Sequence, residues 1–221
     1  HNRVRRQRQM CIRDRAIYAR IVAKMAAWTE SPQRVIARAA EMAPDPTMET
    51  YILAIASFRR GDLGDALARM DELTATYPDD AFFHEFKGDI LFAMARPAEA
   101  AASYETALQL RPGSVLIQLN LGRSLIAEGR AASLERAIQV LALARDAESQ
   151  WAFLHRQYGI ALGKAGRIVE ADLALADEAI VINDKQRAAQ LARRVLARDG
   201  VAENFRSRAS DILFRYGGQA D

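Results

Sequence analysis

The chain has 221 residues, of which 50% are hydrophobic and 27% are charged, and its formal net charge is +3. This composition is typical of a helix-rich globular protein, and no apolar run approaches the roughly 18 residues that a membrane span needs. The single cysteine, Cys11, excludes an internal disulfide and a metal site built from several cysteines.

The positive charge is concentrated in residues 1–15. Six of the 31 basic residues and one of the 28 acidic residues lie there, which leaves 25 basic and 27 acidic residues in the rest of the chain. We therefore predict no nucleic-acid partner, because the body of the chain lacks a strong excess of basic residues. Residues 4–14 resemble the translation of a sequencing adapter, so residues 1–15 are expected to be non-native and to replace a missing N-terminal part. The alternative is a disordered basic arm.

Residues 16–46 are predicted to form two helices that link the missing N-terminal part to the rest of the chain. Ser31 is the expected N-cap of the second helix, and Pro32 its first residue. A break is expected at residues 44–46, which contain two prolines. Apolar residues recur at helical spacing in both helices: Tyr18, Ile21, Val22, Met25 and Trp28 in the first, and Val35, Ile36, Ala39 and Ala40 in the second.

A period of 34 residues organises the centre of the chain. It separates Gly88 from Gly122 and Pro78 from Pro112, and Ala54 stands one period before Gly88. A period of about 34 residues with a small residue early and proline at the end is the signature of the tetratricopeptide repeat, TPR. Each repeat consists of two antiparallel helices that cross at the small residue. The proline ends the second helix. Since one pair cannot bury its apolar face alone, the repeats are expected to stack.

The repeats can be placed along the chain by this period. Repeat one covers about residues 47–80, with its turn at residues 61–62, and repeat two covers about 81–114, with Pro97 opening its second helix. Repeat three starts near residue 115, turns at Gly129, and carries three extra residues that we predict to lie in the loop at 131–133. Repeat four starts near Trp151.

The pattern becomes irregular after repeat four. The helix over about residues 168–181 is predicted to serve both repeat four and a fifth, shorter unit that starts after a turn at residues 183–184. A helix over about residues 203–214 is predicted to cap the stack. The predicted fold class is therefore all-α: a TPR helical-repeat solenoid over residues 47–216, with four to five antiparallel helix pairs and a capping helix. Residues 217–221 are expected to fray.

Several blocks of sequence occur in a specific order: Tyr18 with Arg34 and Val35, then residues 54–63, 83–88, 119–125, 151–159 and 208–212. In this order they resemble the C-terminal half of bacterial M48-type zinc metallopeptidases that carry TPR repeats, of the alphaproteobacterial type. The resemblance covers about residues 16–214. It implies a periplasmic or envelope-associated parent protein whose repeats bind or admit substrate proteins beside a zinc protease domain.

The zinc site of that family is absent from this sequence. The family carries His-Glu-x-x-His on a helix, but here His84 and Glu85 are followed at the fifth position by Gly88, and the other histidines are His1 and His155. We therefore predict no catalytic residue, no metal ligand and no cofactor in this chain, and His84 is expected to be a packed or capping residue. Zinc would be bound by the protease domain of the parent protein, a zinc metalloendopeptidase by resemblance.

The candidate site is instead a surface for a polypeptide partner. The first helices of TPR stacks line a concave groove, whose aromatic, apolar and basic groups suit a polypeptide. The alternative is that several of these residues pack against the next repeat. Tyr51 and Ile55 replace the Asn and Lys of carboxylate-clamp repeats, so no preference for an acidic C-terminal tail is expected. The predicted groove residues are Tyr51, Ile55, Phe58, Arg59, Phe82, Glu85, Asp89, Phe92, Leu119, Arg123, Arg156, Ile160 and Lys164.

These features support two functional hypotheses. In the first, the chain is the non-catalytic, polypeptide-binding half of an M48-type peptidase, and its partners are substrate proteins and its own missing protease domain. In the second, it is a stand-alone TPR scaffold or adaptor. A nucleic-acid-binding helical repeat is a third hypothesis, against which the charge distribution counts.

Overall fold

The computed structural model describes residues 18, 20–43 and 45–218, and the described part of the chain is helical with short connections. Predictions for residues 1–15, Pro44 and residues 219–221 lie outside the described residues. The described helices are α1 (residues 20–29), α2 (Pro32–Met42), α3 (Pro46–Arg60), α4 (Leu63–Thr76), α5 (Ala81–Ala93), α6 (Pro97–Leu110), α7 (Val115–Glu128), α8 (Ala131–Ala147), α9 (Ala152–Lys164), α10 (Ile168–Val181), α11 (Lys185–Leu196) and α12 (Glu203–Tyr216).

The chain divides into two compact units, His1–Ala95 and Arg96–Asp221, which we call the N-terminal unit and the C-terminal unit. The N-terminal unit contains α1 to α5, and the C-terminal unit contains α6 to α12. From α2 to α5 and from α6 to α12, helices that are consecutive along the chain pack together. This is the arrangement that a helical repeat requires.

The helices α1 and α2 are part of the N-terminal unit. Ala23, Ala27, Val35 and Ala39 lie in the same buried cluster as the apolar residues of α3, α4 and α5. The described part of residues 16–46 therefore packs with the rest of this unit, and its predicted role as a linker to a missing N-terminal part stays a prediction. The small side chains on α1 explain this packing, because alanines allow a helix to approach its neighbours closely.

A chain of aromatic contacts runs through the N-terminal unit. Each ring meets the next edge-on or tilted, with centroids 5.4 to 6.1 Å apart, a geometry that aromatic pairs favour. Tyr51, Phe83 and Phe86 are almost completely buried and Phe58 is half-buried, whereas Trp28 and Tyr77 are 42% and 43% exposed. The order of contacts is Trp28, Phe58, Phe86, Tyr51, Phe83 and Tyr77.

The predicted caps and turns of the N-terminal unit are confirmed. The Ser31 side chain accepts a hydrogen bond from the Arg34 backbone N–H at the start of α2, where Pro32 is the first residue. Gly61 ends α3 with φ of +81°, in the left-handed region that glycine adopts without steric cost. Asp62 then caps α4. Local turn chemistry therefore sets these helix boundaries.

Two glycines of the C-terminal unit lie where helices cross closely. A Cβ atom built on Gly122 would be 2.5 Å from Cγ of Leu141, and one on Gly159 would be 2.9 Å from Cγ of Leu175. Neither position has room for a larger side chain without movement of its neighbour. The prediction that this repeated small residue marks a helix crossing is confirmed at both positions.

The three extra residues of repeat three lengthen a helix and do not form a loop. The helix α8 begins at Ala131 and has 17 residues, compared with 14 in α10. The predicted loop at 131–133 is therefore wrong. Ala131 and Ala132 favour helix, and the Ser133 hydroxyl donates to Oε2 of Glu128 at 2.6 Å. The insertion thus adds nearly one helical turn at the start of α8.

The C-terminal end has the irregular pattern that the sequence predicts. The helix α10 packs against both α9 and α11, and α11 packs in turn against α12. Asn183 has φ of +61° in the turn, and the Asp184 side chain caps α11. The predicted packing face of α11 is buried in a cluster that α12 completes: Ala188, Ala192 and Val195, with Ala209 and Ile212.

Candidate functional site

Three predicted groove residues of the N-terminal unit are buried. Tyr51 and Ile55 are 1% and 0% exposed, and Glu85 is 9% exposed. The Tyr51 ring contacts Phe83 and Phe86 within the aromatic chain, and burial raises the pKa of its phenol, against the opposing effect of Arg20. The prediction that these side chains face a partner is corrected, because they form the core beneath the surface.

Arg59 holds the end of α1. Its Nη1 atom donates to the carbonyl oxygens of Ala27 and Glu30, at 2.6 and 2.5 Å, and its guanidinium lies 5.8 Å from the centre of the Trp28 ring. The last carbonyls of a helix have no partner within the helix, and a cation satisfies them well. Arg59 therefore has a structural role, and its neighbour Phe58 contacts the same Trp28 ring.

Arg20 joins α1 to the start of α5, a contact that the sequence did not predict. Its guanidinium makes two contacts with the carboxylate of Asp80, of 2.9 and 2.6 Å, and lies 4.7 Å from the Phe83 ring centre and 5.4 Å from that of Phe82. Phe82 therefore packs beside Arg20 and is half-buried. The remaining predicted groove residues on α5, Asp89 and Phe92, are also half-buried.

In the C-terminal unit, two predicted groove residues on α7 have different environments. Leu119 is 3% exposed and belongs to the core, so its prediction as a surface residue is corrected. Arg123 is half-buried; its Nη1 donates to Oδ1 of Asn120 at 3.2 Å, and its guanidinium lies 6.0 Å from the Phe153 ring centre on α9.

The last three predicted groove residues form one exposed row on α9. Arg156, Ile160 and Lys164 occur at four-residue intervals, so they lie on the same face of the helix, and all three are exposed. Arg187 of α11 lies beside Arg156, because both contact the carboxylate of Glu178. We call the residues Arg156, Ile160, Lys164 and Arg187 the α9 surface.

Glu178 holds the two arginines of the α9 surface together. Its side chain is completely buried, Nε of Arg156 lies 2.6 Å from its Oε1, and Nη2 of Arg187 lies 3.2 Å from its Oε2. A buried carboxylate needs such partners to offset the loss of its hydration. Neither helical spacing nor composition distinguishes Glu178 from the solvent-exposed acids of the chain, so the sequence did not predict its role.

The histidines of the described residues support the chain's turns. Nε2 of His84 lies 2.8 Å from the Pro78 carbonyl oxygen, and Nε2 of His155 lies 2.8 Å from that of Ser149. A carbonyl can only accept, so Nε2 carries the proton in each contact. This is the capping role predicted for His84. Among the described residues, no three His, Cys, Asp or Glu side chains come together as a metal site.

A pocket of ≈ 360 Å³ lies beside His155 in the C-terminal unit. Nδ1 of His155 is buried without a hydrogen-bond partner, and it lies 3.9 Å from Oδ2 of Asp177, which Arg208 also contacts. The walls of the pocket carry two basic and two acidic side chains, so they favour neither an anionic nor a cationic ligand. The pocket is lined by Arg145, Asp146, Ser149, His155, Asp177, Ile180, Val181 and Arg208.

Comparison with known families identifies the repeat. The family model of the tetratricopeptide repeat matches residues 51–115 and 87–150. The chain has a TPR fold. The predicted fold class, an all-α TPR helical-repeat solenoid, is thereby confirmed. No curated protein matches the chain.

Several solved TPR structures resemble the chain at low sequence identity. A double mutant of MamA RS-1 has a TM-score of 0.64 at 16% identity, covering 78% of this chain and 97% of its own. MamA 41-end from Desulfovibrio magneticus RS-1 has a TM-score of 0.60 at 16% identity, covering 80% and 98%. YrrB, described as a TPR protein with an unusual peptide-binding site, has a TM-score of 0.64 at 14% identity, covering 77% and 88%. These likenesses establish the fold.

The TPR fold indicates a protein–protein interaction scaffold. TPR domains bind polypeptide partners, and this is the coarse function that the repeats assign to the chain. Within the described residues, no helix combines the length and the apolar character needed to cross a membrane.

Proposed function

We propose that this chain is a non-catalytic TPR domain that presents or recruits polypeptides for an M48-type zinc metallopeptidase in envelope protein quality control. The observation that carries the polypeptide-binding part is the α9 surface, where Arg156, Ile160 and Lys164 are exposed on one face of α9. The half-buried Arg187 of α11 lies beside Arg156, and both arginines are anchored by Glu178. The link to a peptidase is supported by the ordered sequence blocks. Zinc, a periplasmic or envelope location and catalysis would belong to the parent protein.

A second proposal is a stand-alone TPR scaffold or adaptor, which the TPR fold supports equally well. The observation that favours it is the likeness to YrrB, which is described as a TPR protein with an unusual peptide-binding site. In this case, the chain would bring a partner to another protein without any protease domain.

Sequencing the source DNA upstream of the codon for Ala16 distinguishes the two proposals. An in-frame continuation that encodes His-Glu-x-x-His supports the peptidase proposal. A stop codon, with a start near Met10 or Met25, contradicts it and supports the adaptor. Polypeptide binding itself is tested by incubating the purified chain with an array of peptides of varied charge and hydropathy. Binding to none of them would contradict both proposals.

A further inference from the structure

We infer that the α9 surface binds an extended acidic segment with the pattern acidic-x-apolar-x-acidic. The two acidic side chains would contact the paired arginines and Lys164, and the apolar side chain would contact Ile160. This inference rests on the proposed polypeptide-binding function, and it specifies the partner's chemistry and the part of the chain that recognises it.

The spacing of the α9 surface matches an extended peptide. Residues four apart on a helix are separated by about 6 Å along its axis. Alternate side chains of an extended chain point the same way and repeat about every 6.6 Å. A strand-like segment along α9 therefore presents residues i, i+2 and i+4 to Arg156, Ile160 and Lys164. Because the pattern acidic-x-apolar-x-acidic is symmetric, the segment can lie along α9 in either chain direction.

The charge of the surface favours carboxylates. Arg156, Lys164 and Arg187 carry three positive charges, and Glu178 beneath them carries one negative charge. Lys164 forms no ion pair within the described part of the C-terminal unit. An acidic segment would meet a net positive surface at both of its charged positions, which stabilises the complex and discriminates against basic segments.

The arginines are positioned before a partner arrives. Glu178 uses only part of the donors of each guanidinium, which has several N–H groups in a planar fork. Arg156 and Arg187 remain 49% and 39% exposed while they hold this contact. Their remaining donors can bind a further carboxylate at little cost in conformational entropy, because the side chains are already ordered.

The apolar position is supplied by Ile160. This side chain is 36% exposed, and it lies one turn from Arg156 and one turn from Lys164. A leucine-sized side chain placed between the two carboxylates would cover it. The central residue of the segment therefore distinguishes this surface from a purely electrostatic site, to which any acidic chain would bind.

The test measures the fluorescence anisotropy of a labelled, end-capped peptide, Ser-Glu-Ser-Leu-Ser-Glu-Ser, titrated with the full chain. We expect saturable binding that weakens as NaCl is raised. Replacing both glutamates by glutamine, or the leucine by serine, should weaken binding by at least about tenfold. Equal binding of the glutamine peptide would overturn the inference. Binding of a single-stranded oligonucleotide in preference to the peptide would overturn it in favour of a nucleic-acid surface.

Charge reversal at the exposed Lys164 locates the site. The Lys164→Glu variant should bind the peptide at least about tenfold more weakly, and a peptide with one of its glutamates replaced by lysine should restore the binding. The matched control is Arg130→Gln, at a 76% exposed arginine of the same unit, which should change the affinity by less than about twofold. Unchanged binding to Lys164→Glu would overturn the inference. Circular dichroism verifies that both variants are folded.

Two further comparisons distinguish a failure of this inference from a failure of the proposed function. The peptide is compared with a free and an amidated C-terminus, and equal affinity is expected because side-chain carboxylates make the contacts. A strict requirement for the free terminus would overturn the inference. If the peptide array shows that the chain binds only segments without acidic residues, polypeptide binding stands and the inference is wrong.

Discussion

His84 and His155 make the same hydrogen bond, each from Nε2 to the backbone carbonyl oxygen six residues earlier, at 2.8 Å. Gln118 makes the equivalent contact with the Pro112 carbonyl at 3.4 Å. His84 and Gln118 are one repeat period apart. Gln118 and His155 are one period plus three residues apart, because the three-residue insertion of repeat three lies between them. The histidines therefore fix the turn that precedes the first helix of a repeat, and a carboxamide can take their place.

The first prediction concerns His155. Its replacement by alanine should lower the free energy of unfolding by about 1–2 kcal/mol, because the buried ring loses its hydrogen bond to the Ser149 carbonyl. His155→Gln should be milder, since Gln118 makes the same bond naturally. Urea denaturation followed by circular dichroism measures both. An equal loss in the two variants would contradict this role and assign the effect to packing alone.

The second prediction concerns the helix crossing at Gly122. Gly122→Ala should destabilise the C-terminal unit by roughly 1–3 kcal/mol, because its methyl group would meet the side chain of Leu141. The control is Gly113→Ala, where a Cβ atom would meet nothing within 4 Å. Thermal unfolding compares the two. Combining Gly122→Ala with Leu141→Ala should show a non-additive effect, and strict additivity would argue against a direct clash.

The third prediction concerns the arginines around Glu178. Removing both in Arg156→Ala/Arg187→Ala should cost roughly 3–5 kcal/mol, because it leaves a buried carboxylate without a compensating charge. Adding Glu178→Gln to this pair should recover part of the loss, since the amide carries no charge to neutralise. Urea denaturation of the wild-type, double-variant and triple-variant proteins tests this. A further loss in the triple variant would show that Glu178 is better solvated than its burial indicates.

The fourth prediction concerns the contact between Arg59 and α1. Arg59→Ala should raise hydrogen exchange of the amides of α1, because its last turn loses two charge-assisted hydrogen bonds worth about 1.5–3 kcal/mol each. Exchange in α9, in the other unit, serves as the internal reference. Arg60→Ala is the matched control, since Arg60 is exposed. An unchanged exchange rate in α1 would mean that its buried alanines alone hold it in place.

The fifth prediction concerns chemistry. The purified chain should contain no stoichiometric zinc by elemental analysis and should not cleave casein, because it has no pair of histidines on one helix face. A zinc metallopeptidase with intact His-Glu-x-x-His, assayed in parallel, is the positive control. Casein cleavage that disappears with a chelator would contradict this expectation.

The sequence predicts the repeating features and misses the contacts that have no period. The positions of Gly122 and Gly159 recur because each helix pair needs one close crossing, so spacing alone reveals them. Arg59 and Glu178 act through partners on or beside other helices, and a charged residue on a helix is predicted to be exposed until those partners are known. Spacing cannot distinguish the extra turn of α8 from a longer loop, because it measures how many residues are added and not the conformation that they adopt.

The limits of sequence spacing also explain why some of the predicted groove residues are exposed and others are buried. Register identifies the face that includes Arg156, Ile160 and Lys164, which are exposed. It also selects Tyr51, Ile55 and Leu119, which are core residues. A first helix contacts its neighbours on several sides, so a fixed register position can be interior in one repeat and open in another. Whether the exposed members bind a partner stays a prediction.

The aromatic chain of the N-terminal unit gives this half of the molecule its own optical probe. Tyr51 and Tyr77 are linked through ring contacts to Trp28, the unit's single tryptophan, and Trp151 is the single tryptophan of the C-terminal unit. Excitation energy absorbed by these tyrosines can pass to Trp28 only while the rings stay close. In a Trp151→Phe background, the loss of this energy transfer would report the opening of the N-terminal unit.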